Sequence, residues 1–241
     1  MNLISADNQT EMSRKASSLI IETVRSVPEP ILGLATGSTP LGTYKELIRD
    51  HRENGTSYGK VTTINLDEYV GLDSDDPNSF RHFMDTQLFE ALDIPERRIH
   101  LPNGTAENLD AECERYDILI KQTGGIDLQL LGIGENGHIG FNEPGTPFSS
   151  RTHVVELTES TRKANARFFD RPEDVPTHAI TMGIDSILQS QKILLLAFGA
   201  SKAKAIKRLV HGGISEDFPA SALKRHDDVT LIADQEALAL V

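Results

Sequence analysis

Short, almost wholly apolar runs set off by glycines and hydroxyl residues constrain this chain more than any other feature. Ile31 to Ala35, Val61 to Leu66, Asp127 to Ile133, Ile193 to Phe198 and Val229 to Ala233 are such runs. Runs this short, bounded by turn residues, read as strands rather than helices. Strands that stay apolar without alternating are those of parallel sheets, because helices cover both faces. Ile99-His100-Leu101 reads as a further short strand, Val154 to Leu157 as another, and Leu3 with Ile4 as a short apolar start. The intervals carry helical stripes. Asn8-Gln9-Thr10-Glu11 has capping-box spacing, and Met12, Ala16, Leu19, Ile20 and Val24 then recur on one face. Asp76-Pro77-Asn78-Ser79 opens a helix to about Leu92, and Leu109, Cys113, Tyr116 and Ile120 form a stripe that makes Cys113 a core residue. Helices are also predicted over Ser160 to Phe169 and Ala203 to Val210, with a short one closing the chain. Strands alternating with helices predict an α/β fold: a three-layer, Rossmann-like, mostly parallel open sheet with helices on both faces.

Such a fold needs a sizeable core, and 241 residues without a linker-like stretch predict one domain spanning 1–241. The formal net charge of -12 is spread along the chain without a basic patch, which argues against nucleic acid or an anionic membrane as partner. A few local Lys and Arg residues can still reverse the field inside a pocket, so small anions stay within reach as ligands. Cys113 is the single cysteine, so no intrachain disulfide can form and a reducing compartment is the natural home. With no signal-peptide pattern and no apolar run of membrane-spanning length, the expectation is a soluble, cytoplasmic protein.

In an open α/β sheet, ligands bind just past the carboxyl ends of the strands. Four of those ends carry chemistry. After Ile31 to Ala35, Thr36-Gly37-Ser38-Thr39-Pro40 turns into a helix, with Ser38 or Thr39 as cap and Pro40 at the first helical position. The amides of such a helix start point outward and suit a phosphate, although the same residues are also ordinary turn and cap chemistry. After Val61 to Leu66 come two carboxylates, Asp67 and Glu68, either of which can simply cap the next turn. After Asp127 to Ile133 comes a loop in which Gly134, Gly137 and Gly140 free the backbone while Glu135, Asn136, His138 and Glu143 punctuate it. After Ile193 to Phe198, Lys202 sits at a helix start where the dipole disfavours a cation, which hints at an anion nearby. Lys204, Lys207 and Arg208 also give that helix a plain solvated basic face.

Together these ends suggest acid-base chemistry on a phosphorylated small molecule, with His138 suited to moving a proton near neutral pH. A metal bound by His138 and Glu143 ranks lower, because no second His or Cys lies at ligand spacing. A structural histidine with a satisfied ring is the plain alternative. The glycines here do not make the G-x-G-x-x-G pattern of a dinucleotide site.

Four motifs in order resemble the glucosamine-6-phosphate deaminase family. They are Gly33-Leu34-Ala35-Thr36-Gly37-Ser38-Thr39-Pro40, Asn65-Leu66-Asp67-Glu68-Tyr69, the run from Gly132 through Gly-His-Ile-Gly-Phe-Asn-Glu to Pro144, and Ala164-Asn165-Ala166-Arg167-Phe168-Phe169. Related sugar lactonases share the phosphate turn and a Gly-His loop, but Phe-Asn-Glu-Pro after the histidine is the deaminase form. The resemblance implies conversion of glucosamine 6-phosphate and water to fructose 6-phosphate and ammonia, without a cofactor. It assigns ring opening to His138 with Asn136 and Glu143, and proton transfer between carbons to Asp67. It assigns phosphate binding to Thr36, Gly37, Ser38, Thr39, Arg167 and Lys202, and a mobile lid to about Thr158 to Val175.

Two departures from the family pattern matter. Many members carry Asp where this chain has Asn136, which gives His138 a neutral partner here. The longer, regulated members carry a C-terminal extension and basic residues after the Asn-Glu-Pro motif, whereas this chain reads His153-Val154-Val155-Glu156. The expectation is catalysis without activation by N-acetylglucosamine 6-phosphate, in a monomer or small homo-oligomer. A phosphogluconolactonase-like hydrolase and a non-catalytic sugar-phosphate sensor are the alternatives.

Overall fold

A computed structural model of the chain describes residues 1–166, 169 and 171–241; Arg167, Phe168 and Asp170 lie outside the described residues. Its central sheet has seven strands in the order β1 (Asn2–Ala6), β10 (Val229–Asp234), β9 (Lys192–Ala197), β6 (Leu128–Gly132), β2 (Ile31–Leu34), β3 (Thr62–Asn65) and β5 (Ile99–His100). Every neighbouring pair is parallel. The expected architecture, a mostly parallel sheet with helices on both faces, is what the chain adopts.

Period-two geometry hidden inside the apolar runs builds the two outer layers. Leu32, Leu34, Leu128, Leu130, Leu194 and Leu196 face one side, where they meet α1 (Gln9–Ser26), α2 (Leu41–Asn54) and α3 (Phe80–Gln87) through Met12, Ile20, Tyr44, Leu47 and Met84. Their neighbours Ile31, Ile64, Leu131, Ile193, Leu195 and Leu231 face the other side. There they meet α4 (Leu109–Gln122), α6 (Ile184–Leu188) and α7 (Ala203–His211) through Tyr116, Ile120, Ile187, Ile206 and Leu209. Cys113 is buried in α4, as its stripe predicts, and desolvation with nearby acids pushes its thiol up to about 11.

Several local expectations shift. The side chain of Asn8 caps α1 through Glu11 N at 3.0 Å, but Glu11 reaches back to the Asp7 amide instead of completing the box on Asn8. The helix predicted from Asp76 to about Leu92 is α3, capped by Ser79 and followed by a short 3-10 turn at Phe89–Ala91. The closing helix is a set of linked turns after Asp234. Ser38 and Thr39 do not cap α2: Pro40 takes the cap position with helical angles, and no side chain caps the helix.

A second sheet appears only in the fold. Its three antiparallel strands are β4 (Asp67–Tyr69), β8 (His178–Thr181) and β7 (His153–Glu156), in that order. Asp67 and Glu68 therefore lie within a strand and not in a loop after one. The hinge between the two sheets is Leu66, whose N–H donates to Leu34 O at 3.0 Å and whose carbonyl accepts from Met182 N at 2.7 Å. Tyr116 steadies that hinge from below. Its buried hydroxyl donates to Asn65 O at 2.7 Å and lies 3.2 Å from His100 O. Tyr116→Phe should therefore lower the unfolding free energy by about 1–3 kcal/mol, the penalty for leaving a buried carbonyl without its donor. Urea denaturation measures it, and an unchanged midpoint would mean that the hinge has another support.

Candidate active site

β2 and β6 are neighbours, yet the chain leaves β2 toward β3 and β5 and leaves β6 toward β9 and β10. Loops that diverge in this way open a crevice at the carboxyl ends of the two strands. A cavity of about 600 Å³ occupies that crevice. Thr36, Gly37, Ser38 and Thr39 border it from the β2 end, Asp67 and Tyr69 from β4, Gly134, Glu135, Asn136 and His138 from the β6 end, and Lys202 from the turn after β9. All four strand ends singled out in the sequence thus meet at one cavity.

The turn at Thr36 to Thr39 brings the start of α2 to that cavity. Gly37 has φ +92°, a conformation glycine adopts without strain. α2 has no side-chain cap and no acid in its first turn, so the positive end of its dipole is not neutralised from within the helix. Lys202 lies in the 3-10 turn Ala200–Lys202 that precedes α7. The Asp234 carboxylate anchors that turn, accepting from Gly199 N at 3.0 Å. A helix start and a lysine facing one cavity make an anion site. Arg167, the other cation the resemblance assigns to phosphate, lies outside the described residues.

Asp67 and Glu68 are adjacent and take opposite jobs. Glu68 accepts from three backbone amides, Tyr69 N at 2.8 Å and Phe80 N and Arg81 N at 2.9 Å each, and so anchors the start of α3. Burial pushes its carboxyl up to about 7 against the opposing pull of those amides. Asp67 is buried against the cavity, and among the described residues no donor reaches its carboxylate. Desolvation, helped by the neighbouring Glu68 charge, pushes the Asp67 carboxyl up to about 8. Once ionised, a carboxyl that no donor among the described residues reaches, facing a small-molecule cavity, is available as a proton acceptor.

The loop after β6 is folded by its glycines. A Cβ on Gly134 would lie 2.3 Å from the His138 ring, and one on Gly137 would lie 2.1 Å from the Phe218 ring. The imidazole thus rests on bare backbone at residue 134. Asn136 accepts the His138 backbone N–H at 3.1 Å and donates its amide to Glu143 Oε2 at 2.6 Å. Glu143 Oε2 also faces His138 Nδ1 at 3.7 Å, an ion-pair distance too long for a hydrogen bond, and Nδ1 has no hydrogen-bond partner among the described residues. The polar group beside the ring is therefore the carboxylate of Glu143, while residue 136 acts on that carboxylate. An amide suits this position because an ionised carboxylate needs donors. Burial would raise the Glu143 carboxyl, but His138, Thr161 and Asn136 outweigh it and hold it down to about 2.

Sequence reasoning missed two sets of groups at the cavity. Thr161, on α5 (Glu159–Asn165), donates to Glu143 Oε1 at 2.5 Å. Tyr69, Phe80, Phe141 and Phe169 form an aromatic wall, with ring centroids 4.5 Å apart for Tyr69 and Phe80 and 6.0 Å apart for Phe80 and Phe141. The wall had a faint signal, an aromatic residue directly after each of two chemical motifs. Thr161 had none beyond the Thr158-x-x-Thr161 cap spacing. Among the described residues no three His, Cys, Asp or Glu side chains converge as metal ligands.

Residues 7–232 match the family model for glucosamine-6-phosphate isomerases and 6-phosphogluconolactonases. The chain is 58% identical over 241 residues to a glucosamine-6-phosphate deaminase of Geobacillus sp. strain WCH70, covering 100% of this chain and 96% of that protein. It is 52% identical over 240 residues to glucosamine-6-phosphate deaminase 1 of Bacillus subtilis strain 168, covering 100% of this chain and 99% of that one. A solved structure described as a monomeric glucosamine-6-phosphate deaminase superposes with a TM-score of 0.99 at 52% identity, with both chains covered fully.

The buried Asp67 carboxyl makes stability depend on pH. Folded, it keeps its proton to about pH 8, whereas an unfolded aspartate loses it near pH 4, so the native state gives up stability as pH rises through that window. Asp67→Asn has no proton to lose. Its melting temperature should match the parent near pH 4 and exceed it at pH 9, and a variant no more stable than the parent at pH 9 would show that the charge is not buried at a cost.

Proposed function

Because the chain belongs to the glucosamine-6-phosphate isomerase and 6-phosphogluconolactonase family, we propose that it works as a glucosamine-6-phosphate deaminase of amino-sugar catabolism. It converts glucosamine 6-phosphate and water to fructose 6-phosphate and ammonia. The observation that carries the assignment of roles is the Asp67 carboxyl, which no donor among the described residues reaches, facing the same cavity as His138 and the uncapped start of α2. The substrate phosphate sits against Thr36 to Thr39 and Lys202; the family resemblance adds Arg167, which lies outside the described residues. The sugar then extends toward His138 and Asp67.

Opening the pyranose moves a proton from the anomeric hydroxyl to the ring oxygen, and His138 performs both transfers with Glu143 holding the ring. Asp67 then removes the proton on C2 of the open aldose and returns it to C1. With a second proton passing from the ammonium nitrogen to O1, this leaves an iminium at C2 beside a C1 hydroxymethyl group, and water hydrolyses the iminium to the ketose with release of ammonia. The substrate's ammonium group supplies the positive charge that Asp67 lacks in the empty site, and so favours its ionised, basic form. α5, whose Thr161 and Asn165 border the cavity, acts as a lid over these steps, keeping bulk water from the reacting carbons. Identity of 52–58% to deaminases along the whole chain favours this chemistry over lactone hydrolysis.

The protein acts as a cytoplasmic monomer and needs neither nucleic acid nor membrane. No helix among the described residues is long and apolar enough to cross a membrane. Activation by N-acetylglucosamine 6-phosphate is absent. Arg151, the cation retained after the Asn-Glu-Pro motif, faces Asp185 at 3.5 Å, and Val155 packs beside Tyr69, Phe141 and Leu157. Among the described residues after that motif this leaves no cluster of cations for a second phosphate, and without a site bound better in one state there is no coupling.

A coupled assay for ammonia and fructose 6-phosphate tests the activity itself; hydrolysis of a phosphogluconolactone in its place would overturn the reading. In that assay Asp67→Asn should lose turnover by about 10² to 10⁴-fold, with substrate still bound. Near-parental turnover would remove Asp67 from the mechanism. Initial rates of the parent should be hyperbolic in substrate and unmoved by N-acetylglucosamine 6-phosphate, so a sigmoidal curve straightened by that compound would reveal a regulatory site.

A further inference from the structure

Glu143 is held by three groups, and they do not come from the same part of the chain. Asn136 and His138 belong to its own loop and both address Oε2. Oε1 is taken by Thr161 alone among the described residues, at 2.5 Å and from a different element, α5. Thr161 is itself oriented. Its oxygen accepts from the Thr158 hydroxyl at 2.9 Å, which turns its own hydrogen toward Glu143. Thr158 is the N-cap residue of α5, so the hydroxyl pair is fixed to the first turn of that helix. Thr161 is buried and borders the cavity beside His138.

We propose that Thr161, on α5, is a positioning residue for the proposed ring-opening step, holding the Glu143 carboxylate turned toward His138. This rests on the deaminase reading and adds to it a mechanical link. A hydrogen bond donated to a carboxylate favours its ionised form and fixes its plane, and the plane of Glu143 decides how squarely it faces the imidazole. Proton transfer at the sugar ring is thereby linked to a side chain on α5, outside the loop that carries His138 and Glu143. Among the described residues His138 is the ion-pair partner of Glu143, and Asp67, Glu135 and Lys202 border the cavity that His138 lines, from β4, the β6 loop and the turn before α7.

The test compares the parent with Thr161→Val, which keeps the shape and removes the hydroxyl, and Thr161→Ser, which keeps the hydroxyl. Two measurements are made: initial rates with glucosamine 6-phosphate, and an NMR titration of the His138 ring in the ligand-free protein, assigned with a His138→Asn variant. In Thr161→Val, kcat should fall about 10- to 100-fold, the worth of one hydrogen bond to a charged group, with KM within about twofold. The His138 midpoint should move to lower pH, because the carboxylate is no longer fixed beside the ring. Thr161→Ser should restore both. If the valine variant does not fold, Thr161→Ala takes its place in both measurements. A His138 midpoint that stays put or rises, or a serine variant as slow as the valine one, overturns the inference. A parent that releases no ammonia overturns the deaminase reading instead, and the ring titration still judges the role of Thr161.

Discussion

The pairing of β2 with β6 is the contact on which the rest of the architecture depends. Only Leu32 with Leu128 and Gly33 with Gln129 are in register across it, yet it joins the half of the sheet that grows toward β5 to the half that grows toward β1. Gly33 is needed there because the side chain of Gln129 folds over it, and a Cβ would lie 2.1 Å from the Gln129 amide oxygen. The pairing stops before either strand ends, since β2 runs on to Leu34 and β6 to Gly132, and the loops that follow part. The crevice between those loops is the cavity, so the site follows from where the chain reverses its direction of growth.

Within that crevice, small differences in placement decide chemistry. Asp67 and Glu68 are adjacent carboxylates in one short strand, so their side chains point to opposite faces. One meets three amides at the start of α3 and is consumed by structure; the other meets a cavity and keeps its lone pairs. A second polar pair divides in a similar way, since the Asn136 amide serves the carboxylate of Glu143 while the ring of His138 faces the cavity. In both cases the backbone, through strand alternation or a glycine-rich turn, sorts the chemically similar groups.

This sorting explains what the sequence made legible. The strands of the large sheet could be read because burial on both faces leaves an uninterrupted apolar run, and the site could be read because its residues follow those runs directly. β4 and β8 could not be read as a sheet. They are short, their partners are far apart in the chain, and Asp67 and Glu68 look like turn residues until β8 pairs with them. The capping of α2 misled for a local reason: Pro40 already holds helical angles, so the hydroxyls before it are left for the cavity. Thr161 was out of reach because a side-chain hydrogen bond across 18 residues leaves no periodic trace.

The outermost strand of the large sheet has a further consequence. β1 lies against β10, residue 2 opposite residue 230, so the first strand of the chain pairs with the last. Contacts that span so much sequence form late, because most of the chain must be ordered before their ends can meet. During synthesis on a ribosome, β1 would wait beside α1 with its edge unpaired until β9 and β10 had emerged. The sheet would therefore be completed from its interior outward, and a chain interrupted shortly before Val229 would be left with both its first strand and the edge of β9 open to pairing with other chains.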